Sequence, residues 1–354
     1  MVNELYYQAV DTLKGLIAIP SFSRSENAAA DYLENVWKAD GMTVNRLGNN
    51  LWITSPGFDP EKPSILLNSH IDTVRPAAGW TLDPFAAIES EDGKLYGLGS
   101  NDAGGALVSL YAAFRILSSG RQQPYNMVFL ASAEEEVSGA NGIAMALNII
   151  PGCSFAVVGE PTAMMPAIAE KGLMVIDCTA EGVAGHAARN EGLNAITVAM
   201  KDIMWFHSYR FPEVSALLGP VKMSVTIIQG GTQHNVVPDR CVFTVDIRSN
   251  ECYSNEQILQ HVKDNILSTP LPRSMRLGSS RLDPEHPFVK RAVILGREPF
   301  GSPTLSDQAL LSFPSVKIGP GMSSRSHTAD EYIQLDEIRE AIDLYVRLLD
   351  MLYI

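Results

Sequence analysis

Residues 65–74 read Ile-Leu-Leu-Asn-Ser-His-Ile-Asp-Thr-Val. Ile65 to Asn68 is a short apolar run, the pattern of a strand buried on both faces. It runs straight into His70 and Asp72, two side chains able to do chemistry. The chain repeats this arrangement. Met127 to Ala131, Phe155 to Val158 and Ser315 to Ile318 read as further buried strands, and Leu51 to Thr54 as another. Helical periodicity marks residues 5–18, 26–39, Ala106 to Leu117 and Asp336 to Leu352, with Ser25 placed to cap the second helix. Short strands alternating with helices indicate an α/β sheet covered on both faces.

From about Leu173 the texture changes. Met174 to Ala180, Lys222 to Ile228 and Arg240 to Ile247 alternate as strands of a half-exposed sheet do. Helical stretches Asn194 to His207 and Glu256 to Ile266 accompany them. A small α+β domain, residues 173–281, is therefore expected as an insertion in a larger α/β domain formed by residues 1–172 and 282–354.

The chain has 354 residues, 46% of them hydrophobic and 19% charged, which suits two folded domains and argues against disorder. A net charge of −13 and the lack of a basic stripe argue against a nucleic-acid partner. No apolar run is long enough to span a bilayer. The opening MVNELYYQAVDTLKGLIAIPSFS reads as an amphipathic helix, not a signal peptide. Cys153, Cys178, Cys241 and Cys252 lie far apart, as expected of reduced thiols in a cytosolic protein.

Ligands of open α/β sheets sit beyond the carboxyl ends of the strands. Five segments bring polar groups to that position: His70 and Asp72; Asp102 in Gly97-Leu98-Gly99-Ser100-Asn101-Asp102; Glu134-Glu135-Glu136; Glu160; and His327. Taken singly, each has a plain reading: a structural histidine, a helix N-cap for Asp102, a solvated charge run for the glutamates. Their coincidence at one rim points instead to a divalent zinc, manganese or cobalt site, since a calcium site would not need histidine.

The motifs SHIDTV (69–74), GLGSNDAGG (97–105), SAEEEVSGANG (132–142), VVGEPT (157–162), GVAGHAARNEGLNAI (182–196), GGTQHNVVPDRC (230–241), DIRSN (246–250) and SRSHTADEYI (324–333) together resemble the M20 metallopeptidases and deacylases, over nearly the whole chain. The resemblance implies a zinc-peptidase catalytic domain with an inserted ferredoxin-like lid and dimerisation domain. It also implies two divalent ions, zinc or cobalt. His70, Asp102 and Glu160 would hold one; Asp102, Glu136 and His327 the other. Asp72 would orient His70, Glu135 would be the general base, and His186 would stabilise the oxyanion. A one-residue slip would instead make Glu134 the base and Glu135 a ligand. Asn235, Arg248 and Gly319 would contact substrate, although Arg248 also reads as a surface ion pair. His207, His234, His261 and His286 receive no role.

One position departs from the family. Gly104 stands where a lysine is usual. The segment Gly79-Trp80-Thr81-Leu82-Asp83-Pro84-Phe85, with Gly159-Glu160-Pro161-Thr162, resembles the deacetylase and desuccinylase branch. An N-acetyl- or N-succinyl-ornithine deacylase of arginine biosynthesis, homodimeric through the inserted domain, is therefore the leading expectation. Succinyl-diaminopimelate and small dipeptides are the next substrates, longer peptides a third. A non-catalytic binding protein would have lost Glu135 or Asp102, and both are present.

Overall fold

The structure, a computed structural model, describes residues 2–189 and 191–354, so Asn190 of the motif 182–196 lies outside the described residues. The chain forms two compact units. The first comprises residues up to Ile168 with Leu282–Phe300 and Ser306–Ile354; the second comprises Ala169–Arg281 with Gly301–Leu305.

The first unit is built on a mixed sheet whose middle strands are parallel: Asn126–Ser132, Ser64–His70, Phe155–Val158 and Ser315–Lys317, in that spatial order. Asn50–Thr54 flanks them antiparallel. Every residue of Ser64–His70 and of Asn126–Ser132 is buried. Alternation along the strands supplies two cores. Leu66, Val128, Leu130 and Ala156 pack with Ile143, Ala146 and Ile150. On the other face Phe129 meets Trp37 and Phe114 at ring separations of 5.3 and 6.0 Å. Helices Val2–Ile17, Gly105–Ser119 and Leu335–Leu349 are knit together by Leu13, Val108, Ala112, Ile338 and Ile342. Both faces are thus covered, as the apolar, non-alternating strands require.

The helix expected to be capped by Ser25 spans Asn27–Ala39 with Glu26 at its cap position, and no side chain caps it. The Ser25 amide instead donates to the Phe22 carbonyl, which closes a turn. The Glu26 carboxylate is spent on the amides of Arg24 and Glu134.

The second unit runs strand–helix–strand–strand–helix–strand: Gly172–Glu181, Ala195–Ser208, Lys222–Gly230, Arg240–Ser249, Asn255–Asn265, Thr269–Pro272. Its four strands form one antiparallel sheet with Lys222–Gly230 and Thr269–Pro272 at the edges, the ferredoxin-like order. The last strand contains Pro270 and Pro272, which an edge tolerates and an interior strand does not. Phe243, Val245, Ile247, Met174, Ile176 and Cys178 face Phe206, Ile258 and Val262 of the helices. Asn194 caps the first helix through the Ile196 amide, and Ser254 with Gln257 forms a capping box on the second. Among the described residues no helix is long and apolar enough to cross a membrane.

Candidate active site

Parallel register brings the strand ends to one level. His70 lies opposite Ser132, while Asn68 and Lys317 both lie opposite Val158. The turns that follow therefore leave from one edge, and they carry Asp72, Glu134–Glu136, Glu160 and His327.

His70 is buried at the end of its strand, 2% exposed. Its Nδ1 lies 2.9 Å from the Asp72 carbonyl oxygen. A carbonyl can only accept, so Nδ1 carries a proton, and Nε2 is the ring atom that would bind a cation in place of a second proton. That Nε2 lies 3.3 Å from Asp102 Oδ1, 3.7 Å from Glu160 Oε1 and 4.0 Å from Glu135 Oε2. The half-exposed His327 places Nε2 3.0 Å from Glu136 Oε2 and 3.7 Å from Asp102 Oδ2. Asp102 thus directs one oxygen toward each histidine.

Donors bound tetrahedrally at roughly 2.0–2.2 Å from a zinc ion stand about 3.4 Å apart. The separations of 3.3 and 3.7 Å around His70, and of 3.0 and 3.7 Å around His327, fit two such ions sharing Asp102. The donor chemistry, two imidazoles and several carboxylates, fits as well. Among the described residues two groups of close-set donor atoms stand out, His70 with Asp102 and Glu136, and His70 with Glu135 and Glu160; His327 belongs to neither, and Glu135 stands among the donors.

Electrostatics reflect this crowding. Burial, then repulsion from Glu160, pushes Glu135 well above the usual carboxylate range. Burial, then Asp102, does the same to Glu160. Burial alone would lower the His70 pKa, but hydrogen bonds to Asp102 and Asp72 outweigh it and hold it well above the ordinary value. The Glu136 hydrogen bond lifts His327 to about 9. Clustered carboxylates resist ionising together, and cations between them would remove that cost.

The three glutamates separate because of the backbone. Glu134 has φ 55° and turns its carboxylate onto the Asn141 side-chain amide at 2.9 Å and backbone amide at 3.3 Å. It is a buried brace for the Asn141 turn, away from the His70 cluster. Asp72 fixes the next two. Its carboxylate accepts from the amides of Glu135 at 3.0 Å and Glu136 at 3.1 Å, and from the Ser23 hydroxyl at 2.7 Å. Its carboxylate is 3.5 Å from His70 Nδ1, farther than its own carbonyl. The contact that orients His70 is therefore the Asp72 backbone, and the Asp72 side chain mainly holds the glutamate turn.

Gly319 is buried against Glu160: a Cβ there would sit 2.5 Å from the Glu160 carbonyl oxygen. The glycine lets this loop pack directly against the Glu160 backbone. Gly104 has no room for a longer side chain either, because its Cβ would meet the Gly99 oxygen at 2.5 Å and Leu13 at 2.6 Å.

His186, Asn235 and Arg248 belong to the second unit. His186 is exposed on a two-stranded ribbon with Val236–Val237, its Nδ1 accepting from the Ala188 amide. Asn235 is exposed and its carbonyl receives the Ala187 amide. Arg248 grips Asp246 through two hydrogen bonds of 2.9 and 3.1 Å, so its guanidinium is committed to an ion pair. His261 lies in an aromatic cluster with Trp205, Tyr209 and Phe211, and His286 caps the helix Pro287–Ile294.

Two residues escape sequence reasoning. Asn101 takes the Met322 amide and donates to the Met322 carbonyl and the Ser326 hydroxyl, which steadies the loop before His327. Glu331 is 2% exposed and receives backbone amides around Asp102. Burial and the nearby Asp102 charge raise its pKa to about 8. The only signal for either was its place inside a family motif.

The model of peptidase family M20/M25/M40 matches residues 66–351. An acetylornithine deacetylase of Proteus mirabilis is 27% identical over 96% of this chain and 96% of its own length. Among solved structures, a tripeptidase from Staphylococcus aureus superposes with a TM-score of 0.76 at 21% identity, covering 97% of each chain. The Bacillus subtilis YXEP protein, described as a dinuclear metal-binding peptidase of the M20 family, does so with a TM-score of 0.73 at 15% identity, covering 98% of each. The chain belongs to peptidase family M20/M25/M40, and it is a hydrolase of amide bonds.

Proposed function

We propose that the chain uses two divalent ions, zinc or cobalt, to remove the acyl group from a small N-acyl amino acid, N-acetyl- or N-succinyl-ornithine before others. The observation that carries the two-ion reading is the divided Asp102 carboxylate, one oxygen 3.3 Å from His70 and the other 3.7 Å from His327. His70, Asp102 and Glu160 would hold one ion, and Asp102, Glu136 and His327 would hold the other. The ions, when bound, lower the pKa of water and polarise the scissile carbonyl.

Glu135 then acts as general base. Its carboxylate takes the proton of the attacking water and hands it to the departing amine, which leaves poorly unless protonated. Burial and neighbouring charge already raise its proton affinity toward that task. Asp72 keeps it aimed by holding the Glu135 and Glu136 amides. His186 donates to the developing oxyanion. Asn235 and Arg248 meet the amino acid end of the substrate, with Arg248 exchanging Asp246 for a carboxylate.

The second unit supports a homodimer. The edge strand Lys222–Gly230 exposes Ile227 and Ile228, and the adjoining helix exposes Met200 and Met204. A two-fold pair would cover an open sheet edge with one patch used twice. Four free cysteines support a reducing, cytosolic setting.

The acyl-amino-acid reading draws on the 27% identity to the Proteus deacetylase. The test is turnover on a panel of acetyl- and succinyl-amino acids, succinyl-diaminopimelate, dipeptides and tripeptides, with added zinc or cobalt. Highest kcat/KM on acyl-ornithines supports the reading; highest kcat/KM on tripeptides replaces it with a peptidase.

A further inference from the structure

The strand Tyr332–Gln334 pairs antiparallel with Lys94–Tyr96, which delivers Glu331 beside the glycine-rich turn preceding Asp102. Its carboxylate gathers three backbone amides: Gly99 at 3.2 Å, Asn101 at 2.9 Å and Asp102 at 3.0 Å. Its own carbonyl accepts a fourth, from Gly97 at 3.0 Å. One residue thus ties down the backbone from Gly97 to Asp102.

A buried carboxylate beside a second carboxylate is costly, and an uncharged acceptor could serve a turn without that repulsion. What the two carboxyl oxygens add is room to receive several amides at once, which a glutamine of the same length cannot offer without turning its NH2 toward a donor. The Asp102 amide is one of them, so Glu331 sets the height and rotation of Asp102. That rotation decides whether the Asp102 oxygens divide between His70 and His327.

We infer that Glu331 is a positioning residue for the bridging aspartate: it acts through the Asp102 backbone to set the shared ligand of the two metal positions. This rests on the two-ion reading above. Replacing it by glutamine turns an NH2 group toward the amides it must receive. Aspartate keeps the charge but withdraws it by one methylene.

The experiment is competition titration of full-length wild-type, Glu331→Gln and Glu331→Asp proteins with zinc against a chelator, on folded protein isolated by gel filtration. Steady-state kinetics on the best panel substrate accompany it. Asp330→Asn serves as the neighbouring-charge control, since Asp330 binds Thr81 and Leu82 and leaves the Gly99–Asp102 backbone alone. The wild type is expected to bind two ions. Glu331→Gln should lose at least tenfold in zinc affinity and in kcat at saturating zinc, with KM within threefold. Glu331→Asp should fall between, and Asp330→Asn should stay within threefold of wild type in zinc affinity. If folded Glu331→Gln binds zinc as the wild type does, the inference is wrong and Glu331 serves folding alone. If Glu331→Gln yields no folded protein, Glu331→Asp decides by the same comparison. A wild type that binds no ion removes the two-ion reading and the inference with it.

Discussion

Replacing Asp72 by asparagine probes the joint between the metal ligands and the base. The Asp72 carboxylate receives three hydrogen bonds, from Ser23 Oγ at 2.7 Å and from the amides of Glu135 and Glu136 at 3.0 and 3.1 Å. Hydrogen bonds to a charged group contribute about 1.5–3 kcal/mol each. Asparagine keeps one oxygen able to accept, and it must turn its NH2 toward a donor. At least one bond is lost and the others lose their charge, so about 2–3 kcal/mol of positioning is forfeited. At about 1.4 kcal/mol per tenfold, that predicts a kcat/KM lower by roughly 30- to 150-fold. The fall should lie mainly in kcat, because the loosened turn carries the base Glu135 beside the ligand Glu136. Zinc content should change less, since His70 is still held by the residue-72 carbonyl. Steady-state kinetics with metal analysis on the same preparation give the answer. Activity within threefold of wild type would refute the idea that this carboxylate aims Glu135.

Glu135→Gln should keep its metal and lose turnover by at least about a hundredfold, because an amide takes no proton. Glu134→Gln should instead lower the melting temperature and leave kcat within tenfold; the reverse pattern would move the base by one residue. Gly319→Ala should destabilise the chain by about 1–3 kcal/mol in denaturant unfolding and weaken metal binding, because its Cβ would press on the Glu160 carbonyl at 2.5 Å. His286 packs on Phe155 at 4.4 Å, and burial lowers its pKa, opposed by the Asp283 charge. The folded state then binds fewer protons than the unfolded one. Stability should therefore rise with pH from the depressed folded pKa up to the unfolded value near 6.5 and fall again on acidification. His286→Asn should flatten melting curves over that window. If His186 acts across a dimer, mixing inactive His186→Ala and Glu135→Gln chains under subunit exchange should restore activity; a dead mixture or a monomer by light scattering rules out action in trans.

Hydrophobic pattern carried most of the fold. The run at Ile65 to Asn68 grew into the strand Ser64–His70, and the stretch from Lys222 into Lys222–Gly230, because burial periodicity is a local property. Thr269–Pro272 escaped, since two prolines erase a strand signal that only an edge position tolerates. His70, Glu136, Glu160 and His327 were legible as candidates because each comes after a parallel strand, and topology brings such positions to one edge; Asp102 follows a glycine-rich turn before a helix instead. What was not legible depends on contacts far apart in sequence. Glu331 meets Asp102 across a distance in the chain that no spacing rule covers. The direction of Glu134 follows from one left-handed backbone angle and the Asn141 turn. The family resemblance tied Asp72 to His70, whereas its closer hold on Glu135 and Glu136 needed the fold.

The central claim is that Asp102 is shared between two ions. Anomalous diffraction at the zinc edge, from crystals grown with zinc, tests it most directly. Two peaks about 3.5–4 Å apart are expected. One should contact His70 and Glu160, the other His327 and Glu136, with one Asp102 oxygen on each. A single peak, or two peaks that do not share Asp102, would contradict it.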